Sequence, residues 1–294
     1  MRVGLHTSIA GALEKSALEA AGLGANTFQI FSSSPRQWKA SVPSDPAIQL
    51  LRRAREKHDL YPMVIHDNYL INLASADETI RAKSIEAFRG ELVRAVAMGA
   101  EYLVAHPGNY KGQSIEQGMF AFLAGVAEAA SGLKFPNTML LLENTAGSGA
   151  QLGSRFEELK VMREFTPQVV HQTSDLQVGF CLDTCHLLAA GYNIATGDGL
   201  HETIAEAERL LGMEHVRAIH TNDSKGGLGS HLDRHQNIGE GQIGMEGFRR
   251  IVNHPQLRDK PFILETPVDN PGDDRKNLET LKRLRQELPL AVNL

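Results

Sequence analysis

The sequence predicts an α/β fold, a single (β/α)8 TIM barrel over residues 1–294, and three observations lead there. Short apolar runs rich in β-forming residues alternate with helix-periodic stretches from one end of the chain to the other. No Pro-, Ser- or Gly-rich linker divides them. Polar residues suited to chemistry stand where each of the last six apolar runs ends, and in a barrel such positions converge on one mouth.

In order, the strand runs are 3–5, 27–31, 63–65, 102–105, 139–142, 178–182, 216–219 and 262–264. MLLL at 139–142 and VGFCL at 178–182 are almost continuously apolar, as expected of parallel strands covered on both faces. Between the third and fourth runs, Ile85, Phe88, Leu92 and Val96 share one helical face, and Gly99 stands where a left-handed cap would end the helix. A doubly wound open sheet would carry the same local alternation, so the converging polar positions favour the closed form.

With 42% hydrophobic and 22% charged residues in 294, the chain can bury a large core and has an ordinary globular make-up. Gly4, His6, Thr7 and Ser8 interrupt any signal-peptide core near the start, and no apolar run reaches membrane-spanning length. The expectation is a cytoplasmic protein with no membrane contact. Cys181 and Cys185, in CLDTC, form neither a disulfide framework nor a paired CxxC knuckle, and are expected as reduced thiols. A net charge of −5 opposes nucleic-acid binding, unless acidic side chains are engaged by metal ions.

His66, His106, Glu143, Asp183, His220 and Glu265 each follow a strand run directly or after one residue. Any one of them alone is more often a hydrogen-bonded structural residue. Gathered around one axis, however, these imidazoles and carboxylates would need compensating positive charge, which divalent ions supply. Imidazole with carboxylate and no thiolate suits Zn, Mn or Fe better than Mg or Ca. Asp233 and His235, two apart, point the same way in an extended segment, and His186 lies just past the strand end carrying Asp183. Nine ligands suffice for three ions, whose charge would more than offset the −5.

The blocks HDNYLIN, VAHPGNY, LLENTAG, FCLDTCH, HTNDSK, DRHQNIGEGQIG and ILETP resemble the successive signatures of the endonuclease IV family, over residues 4–285. This resemblance implies three Zn2+ per chain, with Mn2+ or Fe2+ as alternatives at one site. His66 and His106 resemble the ligands of a first zinc, bridged by Glu143 to a second that Asp183, His220 and Glu265 complete. His186, Asp233 and His235 resemble the ligands of a third. Glu143 and Glu265 are the implied catalytic carboxylates. The implied activity is zinc-dependent hydrolysis of the phosphodiester 5′ to an abasic site in double-stranded DNA, in base excision repair. It leaves a 3′-hydroxyl and a 5′-deoxyribose phosphate, and is joined by removal of blocking groups from 3′ ends. No organic cofactor is needed, and a monomer acting on one lesion needs no partner subunit.

Arg36 and Gln37 resemble the family's minor-groove loop, and Tyr69 and Leu70 its wedge into the base stack, while Trp38 is expected to pack on the barrel. An abasic site, lacking one base's stacking, is the cheapest place to kink a duplex. Pro35 with its serines, and Asn68 in HDNYLIN, depart from the family pattern in these loops. Lys39, Lys111, Lys225 and Arg234 are candidate phosphate contacts. Gly226, Gly227 and Gly229 make no P-loop and are expected to let the loop bearing Asp233 and His235 fold over the centre. His6 is expected to face the mouth as a supporting residue. The competing reading is a sugar isomerase of the same barrel type; the set His186, Asp233 and His235 and the two recognition loops separate them.

Overall fold

The computed structural model describes residues 1–286; residues 287–294, the end of the expected span, lie outside the described residues. The chain alternates as expected: β1 (Arg2–Leu5), α1 (Leu13–Leu23), β2 (Phe28–Phe31), α2 (Asp45–His58), β3 (Met63–His66), α3 (Glu78–Met98), β4 (Tyr102–Ala105), α4 (Ile115–Ala130) and β5 (Met139–Glu143). Then follow α5 (Phe156–Val169), β6 (Gln177–Asp183), α6 (Thr184–Ala190), α7 (Gly197–Leu211), β7 (Val216–His220), β8 (Asp223–Ser224), β9 (His235–Gln236), α8 (Gly244–Asn253), β10 (Pro261–Leu264) and α9 (Asp273–Gln286). The antiparallel ladder of β8 and β9, two residues on each strand, was not foreseen, being too short to leave a periodic signal.

Eight parallel strands run in the order β1-β10-β7-β6-β5-β4-β3-β2, and a parallel bridge between His6 and Gln29 brings the first and last together. At that seam a Cβ on Gly4 would lie 1.9 Å from the Thr27 carbonyl oxygen, so only glycine allows the approach. α3 ends as its pattern predicts: Gly99 sits at φ 73° and its N–H caps the helix on Ala95 and Val96, while the Asp77 side chain accepts from Thr79 and Ile80 at the other end.

Strand alternation divides the core in two. One side chain from each of several strands fills the barrel interior: Val64, Val104, Leu141, Cys181, Ala218 and Ile263. The larger layer lies between strands and helices, where Phe28, Phe88, Phe156, Phe180 and Phe248 are fully buried, each worth about 2 kcal/mol in removed apolar surface. Among the described residues, no helix is long and apolar enough to cross a membrane.

Candidate metal centre

The interior residues of the barrel locate the polar ones. Two residues beyond Val64, Val104, Leu141, Cys181, Ala218 and Ile263 stand His66, His106, Glu143, Asp183, His220 and Glu265, on the same strand faces and at the C-terminal ends. Of these, Glu143, Asp183 and His220 are completely buried. His6 and Gln29, paired across the seam, complete the ring from β1 and β2. Sequence reading singled out His6 but missed Gln29, which lies within the run FQIF and not beyond its end.

Glu143 is the hub. Its Oε2 lies 3.2 Å from His66 Nε2 and 3.0 Å from His106 Nε2, while its Oε1 lies 2.7 Å from His220 Nδ1. Glu265 Oε2 approaches the same His220 nitrogen at 3.4 Å. The two oxygens of one carboxylate thus address two separate donor sets. Donor atoms of His66, His106 and Glu143, of Glu143, Asp183, His220 and Glu265, and of Asp183, His186 and His235 lie within 4.8 Å of one another in each set. The third set therefore includes Asp183 besides the residues expected from sequence. Asp233 Oδ1 completes it from above, 3.2 Å from His186 Nε2 and 3.5 Å from His235 Nε2.

The far side of most of these rings is tied down. His66 Nδ1 lies 3.0 Å from the Asp67 carbonyl, His186 Nδ1 2.9 Å from the Asn144 carbonyl, and His235 Nδ1 3.0 Å from the Glu265 carbonyl. A carbonyl can only accept, so in the neutral ring Nδ1 carries the proton and the Nε2 lone pair faces the centre. His220 is reversed: its Nε2 meets Gln29 Oε1 at 2.8 Å and leaves Nδ1 for the centre. Gln29 Nε2 also donates to Glu265 Oε1 at 2.5 Å. Asn222 holds Asp183 through its Nδ2, at 2.6 Å from Oδ2, and receives the Glu265 N–H on Oδ1 at 2.8 Å. Asn144 Oδ1 accepts the Asp183 N–H at 2.7 Å.

These contacts concentrate charge. Burial opposes a proton on His66, yet the hydrogen bond and charge of Glu143, with Glu265 and Asp67, push it up to about 9. Burial likewise opposes a charged His186, but Asp183, Asp233 and Glu143 raise it to about 10. Burial would raise Glu265, and His220 nevertheless holds it at about 2. Despite their burial, Glu143, Glu265 and Asp233 are held low by neighbouring imidazoles and stay ionised, a concentration of negative charge that a divalent ion can meet. His6 differs: burial lowers it to about 4 against the pull of Glu265, so the ring is neutral.

Whether the residues fit an ion is tested by His186 and His235. Their Nε2 atoms are buried and have no hydrogen-bond partner, with Asp233 Oδ1 lying 3.2 Å from the first and 3.5 Å from the second. Two buried imidazole nitrogens with no hydrogen-bond partner, grouped with carboxylate oxygens, fit a borderline-soft divalent cation, and the lack of thiolate among the donors suits zinc, manganese or iron. Cys185 takes no part: burial and the charge of Asp183 push its thiol up to about 12, which keeps it protonated.

Above the donors opens a cleft of about 320 Å³ lined by His6, Phe31, His106, Asp233 and Val268, with Tyr69 at its rim. Tyr69 is 71% exposed and packs its ring edge on Phe31 at 5.1 Å. Leu70 is half-buried; Arg36 and Gln37 are exposed on the neighbouring loop, and Trp38 beside them in sequence is half-buried. Asn68 joins the two loops, donating from Nδ2 to the Gln37 carbonyl at 2.5 Å and accepting the Leu70 N–H at 2.8 Å. Lys39 is paired with Glu86 at 2.9 Å. Gly229, at φ 70°, turns the loop that returns over the centre, where the His231 N–H is held by the Ala189 carbonyl.

A family model described as a xylose isomerase-like TIM barrel matches residues 17–287. A protein of Solibacter usitatus named probable endonuclease 4 is 57% identical over 293 residues, covering 99% of this chain and 100% of the relative. A protein of the same name from Halothermothrix orenii is 40% identical, covering 98% of this chain and 100% of the relative. The chain belongs to the endonuclease IV family. Its fold is similar to the crystal structure of endonuclease IV from Thermus thermophilus, with a TM-score of 0.84 and 39% identity over 97% of this chain and 99% of that one. The resemblance carried by the signature blocks and the family found by comparison are the same. The sugar-isomerase reading shares the barrel, as the description of the family model says, while the full-length relatives carry the endonuclease name.

Proposed function

We propose that this endonuclease IV family member is a metal-dependent hydrolase of DNA repair, a single domain that acts on double-stranded DNA and cuts the phosphodiester 5′ to an abasic site. The observation that carries this reading is the shared carboxylate: Glu143 presents one oxygen to His66 and His106 and the other to His220, beside a further set of His186, His235, Asp183 and Asp233. A small sugar substrate would need no such third set.

In this reading His66, His106 and Glu143 would hold one zinc, Glu143, Asp183, His220 and Glu265 a second, and His186, Asp233 and His235 a third. Zinc bound there would act as a Lewis acid, sharing the negative charge that builds up on a phosphate during displacement and supplying a nucleophile near neutral pH. The chain's own contribution is placement. Glu143 and Glu265 set the two neighbouring donor sets against each other, and Gln29 and Asn222 hold the Glu265 end of that arrangement in one orientation. The neutral ring of His6 lines the cleft without adding charge to it. Tyr69 and Leu70 at the rim enter the stack where one base is missing, and Arg36 and Gln37 follow the groove. Hydrolysis that breaks the bond between phosphorus and the 3′ oxygen on the 5′ side of the abasic sugar leaves that oxygen as a 3′-hydroxyl and the phosphate on a 5′-deoxyribose phosphate, and 3′ blocking groups can leave by the same hydrolysis.

The test is incision of a duplex carrying one synthetic abasic site, with elemental analysis of the same sample before and after prolonged chelation. Cutting immediately 5′ to the site, lost as about three metals per chain are removed and regained with added Zn2+, is the expected result. A metal-loaded protein that leaves the duplex intact and isomerises a sugar would overturn the proposal.

A further inference from the structure

The loop bearing Arg36, Gln37 and Trp38 has little backbone support of its own. Among the described residues, the stretch 33–42 makes one backbone hydrogen bond to backbone, from the Gln37 N–H to the Ser34 carbonyl at 3.2 Å. Its other fastenings are side chains. Asn68 holds the Gln37 carbonyl from the side of the metal centre. From below, Arg94 of α3 spans both ends of the loop: Nε donates to Ser32 Oγ at 2.7 Å, and one terminal nitrogen donates to the Ala40 carbonyl at 3.1 Å. The other terminal nitrogen pairs with Glu91 at 2.9 Å, and the Ser32 hydroxyl also donates to that carboxylate.

Ser32, Glu91 and Arg94 are all buried. A buried ion pair seldom stabilises more than well-packed apolar residues in its place, so fold stability alone is a weak reason for this arrangement. A planar guanidinium can make three differently directed hydrogen bonds at once and so define a geometry that an apolar contact would leave free.

We infer that Arg94 is a positioning residue for substrate recognition, clamping residues 32–40 so that Arg36 and Gln37 are already arranged for duplex DNA. This rests on the proposed reading of Arg36 and Gln37 as DNA contacts. Arg94 lies outside the metal donors, and its effect belongs to binding and not to the cutting step. Preorganising a loop saves the ordering cost that binding would otherwise carry.

The test uses Arg94→Lys, which keeps a cation beside Glu91 but loses the fork, and Ser32→Ala, which removes the loop end of the clamp and keeps the ion pair. Trp38 is the protein's only tryptophan and lies within the loop, so its emission reports loop order directly. Both variants should raise KM for the abasic duplex by about tenfold and leave kcat within about twofold. Acrylamide should quench Trp38 more strongly, with metal content and far-UV circular dichroism unchanged. In an Arg36→Ala, Gln37→Ala background, Arg94→Lys should raise KM no further.

Unchanged KM and quenching in both variants, or a full additional rise in KM in that background, would overturn the inference while the loop keeps its recognition role. A fall in kcat at unchanged KM would overturn it as well. If the Arg36→Ala, Gln37→Ala protein itself binds and cuts normally, the reading of the loop as a DNA contact fails, and the inference falls with it. Should Arg94→Lys not fold, Ser32→Ala decides by the same two readouts.

Discussion

Gln29 shows how much one amide can organise. Its oxygen meets His220 Nε2 and its nitrogen reaches both Glu265 Oε1 and His6 Nδ1, so three members of the polar ring take their orientation from it. An alanine there would leave a buried imidazole nitrogen unpaired and free Glu265 to swing. Gln29→Ala should reduce incision about 10- to 100-fold and loosen metal retention on dialysis, because supporting partners of ligands commonly matter by that factor. Incision rate and metal content measured on the same preparation check it; a variant with wild-type values in both would deny Gln29 its orienting role. Glu143 is the sharper case, since one carboxylate serves two donor sets. Glu143→Gln should bind the abasic duplex and leave it intact, losing cutting by on the order of a thousandfold; binding measured by fluorescence anisotropy, with turnover in parallel, separates the two.

At the scale of elements, the barrel strands and the loops have different tasks. Strand ends deliver the donors because residues two apart share a face, and β5 illustrates it: Leu141 fills the interior and Glu143 crowns it. The loops after β2 and β3 carry what projects, above all Tyr69, which stands exposed on Phe31. Replacing Tyr69 and Leu70 together by alanine should narrow the preference for abasic over intact duplex by about tenfold or more while metal content stays the same, as expected when an apolar wedge is removed. Competition binding with the two duplexes measures it. Unchanged discrimination would return both residues to loop packing.

At the scale of the whole molecule, the chain carries a net charge of −5 and buries an unusual density of ionisable groups at one end of its barrel. Ions held there would serve both stability and function, since they would bind the folded arrangement and not the unfolded chain. At a free concentration about a hundred times Kd, each site would add about 3 kcal/mol. Chelation should therefore lower Tm, and added Zn2+ should restore it in a concentration-dependent way; calorimetry with and without chelator checks this. An identical Tm in both conditions would mean that the donor sets hold no ion in the folded protein. Removing the ions should also weaken DNA binding, because the phosphate backbone then meets an uncompensated acidic mouth.

Much of this was legible in the chain itself. Apolar runs bounded by turns marked all eight barrel strands to within about two residues, because burial on both faces leaves a hydrophobic signal that neighbours cannot disguise. The six donors at strand ends were legible for the same reason: a polar side chain directly after such a run stands out. Gln29 did not, because it stands inside an apolar run and not after one, and only its register beside Val64 and His6 shows that strand alternation points it towards the centre. Asn144 and Asn222 were hidden differently, as their partners are backbone groups and carboxylates 39 to 43 positions away in sequence. Asp183 joins the third donor set only through the approach of His235 from a distant loop, and Arg94 meets Ser32 and Ala40 only across packed elements. Local pattern determined which residues line the barrel mouth; three-dimensional closure decided which nitrogen and which oxygen each presents, because hydrogen bonds between distant segments orient a ring or a carboxylate and no periodicity records them.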